Sequence, residues 1–124
     1  MDAGRPHFSQ PVPTVLHAVA GREDVMRMAP VLAPLERRGA FRQLVVQAAG
    51  DGAPWGPGGA WAATLGVPPP ARRLRPVDGL PGRHTAAVLE GFERVVLEQR
   101  PALVVVAGDH DAVPACALAA YAAP

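Results

Sequence analysis

The segment Pro101 to Val113, PALVVVAGDHDAV, places the strongest constraint on the fold. Leu103 to Ala107 is an uninterrupted apolar run that stops at Gly108 and delivers Asp109, His110 and Asp111 together. A half-exposed strand alternates apolar and polar residues. A continuous β-branched run of this length instead predicts a strand buried on both faces, as in parallel sheets. Such sheets take their ligands outside the carboxyl ends of the strands. The acids after Gly108 therefore stand where chemistry is expected, and the rest of the chain is read for what stands beside them.

Val15 to Ala20 predicts a first strand, turned by Gly21. Glu23 and Asp24 then favour a helix N-terminus, Val25, Met28, Ala29, Leu32 and Leu35 recur at helical spacing, and Gly39 is the expected C-cap. Pro30 and Pro34 interrupt that pattern, and Pro30 is expected to kink or tighten the middle of the helix. Phe41 to Ala49 predicts a second strand, followed by the turn-rich DGAPWGPGG, a short helix over Gly59 to Leu65 and a brief third strand over Ala71 to Leu74. His84 to Arg100 has the clearest helical pattern, with Val88, Leu89, Phe92, Val95 and Val96 on one face and Glu90 and Arg94 paired on the other. Pro101 ends that helix. After the buried fourth strand, Pro114 falls in the first turn of an alanine-rich last helix.

Alternation of strands and helices with right-handed crossovers predicts a Rossmann-like three-layer α/β/α fold with a short parallel sheet, in the order 3-2-1-4. In that order the first and fourth strands are neighbours. Arg22, just after the first, is then expected beside Asp109, just after the fourth.

The 124 residues make one domain, small for a complete nucleotide-sugar or dinucleotide enzyme. Residues 1–13 read as a loose leader and residues 14–124 as the domain. A net charge of +1 gives no reason to expect nucleic acid, and the arginines are scattered rather than clustered. All 12 basic residues are arginine, and Lys, Ile and Asn are absent, which reads as phosphate recognition or, more simply, as the codon bias of a GC-rich genome. The single Cys116 lies in the alanine-rich stretch with no partner, a buried inert thiol. No run has the length of a membrane span and no signal peptide precedes the first strand, so a cytoplasmic protein is expected.

The turn Ala20-Gly21-Arg22, between a strand and a helix N-terminus, suits an anion. The glycine patterns that cradle a dinucleotide or a nucleoside triphosphate are absent. Arg22 fits a phosphate or diphosphate by bidentate contact, or a salt bridge to Asp109 or Asp24. Asp109 fits a catalytic carboxylate, an acceptor for a sugar hydroxyl, or an N-cap of the last helix. Asp109, His110 and Asp111 invite a metal site, but three adjacent residues rarely converge on one ion and no second ligand cluster exists, so no metal or nicotinamide cofactor is inferred. His17 and His84 read as packing or surface residues. Trp55 and Trp61 would stack on a ring or, more simply, pack the short helix on the sheet.

VLHAVAGREDVMRMAPVLAPLE resembles the opening of the non-hydrolysing UDP-N-acetylglucosamine 2-epimerases, which begin with a strand, a GTRPE-type turn and a helix containing KMAPL. AAVLEGFERVVLEQRPALVVVAGDHDAV resembles their helix with ILEG, the KPD element, an apolar strand and an HGDT-type turn. The resemblance spans about Val15 to Tyr121 and is weak between Gly50 and Arg83. It implies a partial N-terminal half of a glycosyltransferase-B-type fold, in which two Rossmann-like domains hold the active site between them. Members of the family interconvert UDP-GlcNAc and UDP-ManNAc. They expel UDP by elimination across C1 and C2, then add it back to the glycal-like intermediate on the other face.

On that resemblance Asp109 matches the catalytic-site aspartate and Arg22 the arginine near the diphosphate. Arg27 stands where the family has lysine, and Gly21, Gly108 and His110 line the same turns. The departures are equally specific. Ala20-Gly21 replaces Gly-Thr, Glu23 a proline and Asp24 a glutamate; Ala107 stands for the histidine before Gly-Asp, and AAGDGAPW for the QHREM-like segment. The family's later acids and second domain lie outside the region of likeness. The resemblance therefore implies a truncated or degenerate N-terminal domain, inactive alone, with UDP-GlcNAc as the ligand if active. It leaves open a non-catalytic binding module or one half of a split enzyme. Either would use the open edge of Leu103 to Ala107 for a second copy or a C-terminal-domain partner.

Overall fold

A computed structural model of the chain describes residues 11–49, 60–75 and 77–124. The expected leader falls largely outside these residues, and the turn-rich DGAPWGPGG, with Trp55, lies wholly outside them. Eight elements follow one another: β1 (Thr14–Val19), α1 (Arg22–Arg38), β2 (Arg42–Gln47), α2 (Ala60–Thr64), β3 (Arg72–Arg73), α3 (Pro81–Gln99), β4 (Leu103–Val106) and α4 (Ala112–Ala122). The four strands form one sheet in the order β3-β2-β1-β4, and every pairing is parallel. The expected order is the observed one.

Side-chain alternation along the strands divides the core in two. Leu16, Ala18 and Val46 point to the face covered by α3 and α4, where they meet Phe92, Val95, Ala115 and Cys116. Val19 and Val45 point to the opposite face, against Val25, Met28 and Leu32 of α1 and Ala62 of α2. Helices cover both faces, giving the three layers expected of a Rossmann-like chain.

The ends of α1 are where the sequence signals place them. Glu23 and Asp24 open α1, Arg37 and Arg38 close it, and Gly39 takes the left-handed conformation (φ 63°), its N–H donating to the Glu36 carbonyl. Despite Pro30 and Pro34, α1 runs unbroken from Arg22 to Arg38. Both prolines are exposed, so the carbonyls they deprive of a donor lie on the side open to water. α3 starts earlier than its apolar pattern, because Pro81 is pre-organised for a first helical turn. Arg100 ends it at φ 47°, and Glu90 and Arg94 form the expected i,i+4 ion pair at 2.7 Å. β3 is reduced to two residues, although Ala71 and Leu74 on either side still donate to the Val45 and Gln47 carbonyls of β2.

One expectation fails. β4 is not buried on both faces: Leu103 is 56% exposed and Val104 to Val106 are only half-buried. Its register, Val15 with Leu103 and His17 with Val105, makes it the edge strand beyond β1. Val104 and Val106 pack under α3 and α4, whereas α1 leaves Leu103 and Val105 incompletely covered. The apolar run reports what the side chains are, not which helices reach them.

Candidate functional site

β1 and β4 are hydrogen-bonded neighbours running the same way, so the turns at Gly21 and Gly108 leave the sheet side by side. The residue that joins them is Asp24. Asp24 is 5% exposed; Oδ2 accepts the N–H of Ala20 at 2.9 Å and of Gly21 at 3.4 Å, and Oδ1 accepts a hydrogen bond from Nη1 of Arg27 at 3.3 Å. This is half of a capping box: Asp24, three residues into the helix, reaches back to the N-cap, and Gly21 has no side chain with which to reciprocate.

Gly108 completes the junction. Its φ of 97° disfavours any side chain, and a Cβ there would run into the Asp24 carboxylate and lie 3.2 Å from Nη1 of Arg27. The β4 turn thus rests its backbone on a buried carboxylate at the start of α1. Of the predicted site residues, Gly21, Arg27 and Gly108 meet here, around Asp24, expected as a first-turn acid and a possible partner of Arg22 but not as the link between the two turns. Its position three residues after the N-cap is the signal that marks it.

Arg22 does not turn toward Asp109. Its guanidinium lies over the indole of Trp61, 4.7 Å from the ring centroid, on the side of the sheet where α2 packs. Among the described residues Arg22 makes no ion pair, and Asp24 is taken by Arg27 instead. Neither salt bridge considered for Arg22 forms.

Asp109 and His110 are both exposed. Asp109 does not cap α4, whose N-cap is Asp111 without a side-chain bond. The first amide of α4 is instead satisfied by its neighbour in sequence: Ala112 N–H donates to Nδ1 of His110 at 3.0 Å. An accepting Nδ1 leaves the ring proton on Nε2, which makes His110 a hydrogen-bond donor in the exposed turn after β4.

His17, in the middle of β1, is 1% exposed and donates through Nε2 to Oε1 of Gln43 at 2.9 Å. Gln43 is in turn anchored by the Leu32 carbonyl and Glu36, both at 2.9 Å. Nδ1 of His17 is buried with no partner among the described residues. Burial lowers the pKa of His17 against the smaller raising effect of the Gln43 bond, so the ring is held neutral. With Asp24, Arg27, Val31 and Val105 it lines a small cavity of about 60 Å³ between α1 and β4. Cys116 is fully buried and its thiol is pushed up to about 12 by desolvation, which makes it the inert core residue expected. Among the described residues, no three His, Cys, Asp or Glu side chains stand together as a metal site. No described helix is long and apolar enough to cross a membrane.

These features define a class: a Rossmann-like α/β domain with an arginine and an acid at the carboxyl ends of adjacent strands. No family model matches the sequence, and no curated protein matches it significantly. Solved structures do match the fold. A Listeria monocytogenes protein assigned as a UDP-N-acetylglucosamine 2-epimerase superimposes with a TM-score of 0.77 at 22% identity, over 90% of this chain and 29% of its own. The UDP-GlcNAc 2-epimerase of Methanocaldococcus jannaschii gives 0.74 at 24% identity, over 86% and 28%. That of Neisseria meningitidis, solved bound to UDP-GlcNAc, gives 0.74 at 20%, over 87% and 29%. The chain therefore has the fold of part of these glycosyltransferase-B-type epimerases and spans less than a third of their length.

Proposed function

We propose that this chain is the N-terminal domain of a UDP-N-acetylglucosamine 2-epimerase-like protein and supplies one wall of a UDP-sugar site. The observation that carries the reading is the junction of Gly108 with Asp24, which keeps the Arg22 and Asp109 turns in one crevice of an epimerase fold. Arg22 holds the diphosphate, and Gly21 and Arg27 shape and charge the floor beneath it. Asp109 acts at the C2/C3 region of the sugar, and His110 donates to a sugar or phosphate oxygen from Nε2.

In the reaction so assigned, the C2 proton and UDP leave together to give a glycal-like intermediate. A proton and UDP then return, with the configuration at C2 inverted. Asp109 alone does not complete that cycle, because protonation on the opposite face of the sugar needs a group from the facing domain. Ala107 stands for the family's histidine, and the stretch after β2 that stands for the QHREM segment has neither its histidine nor its arginine.

The test is co-expression with the C-terminal half of a UDP-GlcNAc 2-epimerase. Restored interconversion that Asp109→Ala abolishes supports the reading, and absence of activity in every combination counts against it. A second reading, a non-catalytic module that binds a partner through its sheet edge, is favoured by the open flank of β4 at Leu103 and Val105. On this reading the edge takes a second copy of the chain or a C-terminal-domain partner.

A further inference from the structure

Trp61 sits on a helix of five residues, half-buried against the α1 face of the core, with the Arg22 guanidinium over its ring at 4.7 Å from the centroid. An exposed arginine in the first turn of a helix ordinarily samples many rotamers and pairs with whatever carboxylate is near. Two such carboxylates are close in sequence or across the strand ends, Asp24 and Asp109, yet Arg22 takes neither among the described residues. A cation held over an aromatic face is attracted without using up a hydrogen-bond acceptor, so the N–H donors of the guanidinium stay available. Those donors are the fork that grips two oxygens of a phosphate. Arg27, the other cation of the crevice, is tied to Asp24.

We propose that Trp61 is the positioning residue for Arg22. It keeps the guanidinium off the neighbouring acids and fixes its plane, and so sets the affinity of the crevice for a nucleoside diphosphate. This rests on the UDP-sugar reading above. The indole touches no substrate; it acts through Arg22.

The experiment is calorimetric titration of the chain with UDP, and with pyrophosphate as the bare anion, at low salt. The variants are W61F, W61L, R22K, R22A and the double variant R22A with W61L, each checked by thermal denaturation. W61F keeps an aromatic face and stays within about twofold of the parent, whereas W61L and R22K weaken binding by roughly three- to tenfold. In the R22A background W61L has no further effect, because the indole then has nothing to hold. Trp61 acting only in packing would make the two losses add, or would leave W61L binding like the parent; either result overturns the proposal. If W61L fails to fold, W61F and R22K decide: equal weakening by both overturns it, and retention by W61F alone supports it. A parent chain that binds neither UDP nor pyrophosphate overturns the UDP-sugar reading and this inference with it. Binding by the parent that is indifferent to Trp61 overturns this inference alone.

Discussion

The two faces of the sheet are built differently. The face under α3 and α4 is a continuous apolar layer, with Leu16, Ala18 and Val46 against Phe92, Val95 and Cys116, and it extends over β4 through Val104 and Val106. The face under α1 and α2 is smaller in its apolar cluster and carries the buried polar groups His17, Asp24 and Gln47. It stops short of β4, where Leu103 is exposed. One face holds the domain together. The other spends burial on polar groups and holds the two turns of the crevice, so stability and site are separable by face.

That separation can be broken by mutation. Phe92→Ala, which empties the centre of the apolar layer, is expected to cost about 3–5 kcal/mol by urea denaturation, the largest loss of any single truncation considered. A mild effect would mean that the layer is not the main source of stability. Gly108→Ala comes next, about 1–3 kcal/mol, from the left-handed φ and the collision with Asp24. The same change made in an Asp24→Ala background should cost less, and strict additivity would show that the turns are not joined through that carboxylate.

His17 sharpens the comparison through pH. Its native pKa is lowered by burial, whereas the unfolded chain takes up the proton near the ordinary value of 6.5. Below that pH the unfolded state binds more protons, so stability falls as pH falls from 6.5 toward the lowered native value. His17→Leu should flatten this part of the stability–pH curve while the same chain in the Phe92→Ala form keeps it. The smallest effect is expected at the edge: Leu103→Lys should change stability by no more than about 0.5 kcal/mol, since that side chain is already exposed. It should nevertheless suppress any self-association seen by light scattering, because a charge blunts an open strand edge.

Much of this was legible in residues alone. β1, β4 and α3 are long apolar or periodic segments, and the order of strands follows from their alternation with helices, so the adjacency of the Gly21 and Gly108 turns was open to inference. What those patterns do not carry is direction. Arg22 was expected beside Asp109 because their backbones are close, but an indole from α2 captures the guanidinium, and α2 lies in the stretch with the weakest sequence signal. The His17–Gln43 bond links residues on adjacent strands, diagonal across a register in which His17 faces Val45 and Gln43 faces Val15. No spacing along the chain announces it. The burial of β4 was overestimated for the same reason, since coverage depends on where α1 ends up across the sheet.

Nitrogen-15 amide spectra of the chain titrated with UDP show whether the crevice between the β1 and β4 turns takes a UDP-sugar. Saturable shifts are expected at Gly21 to Asp24, the Trp61 indole N–H and Gly108 to Ala112 alone, and their loss in Arg22→Ala. A spectrum that does not change, or shifts that gather at the β4 edge or over α3 and α4, would contradict a UDP-sugar site there.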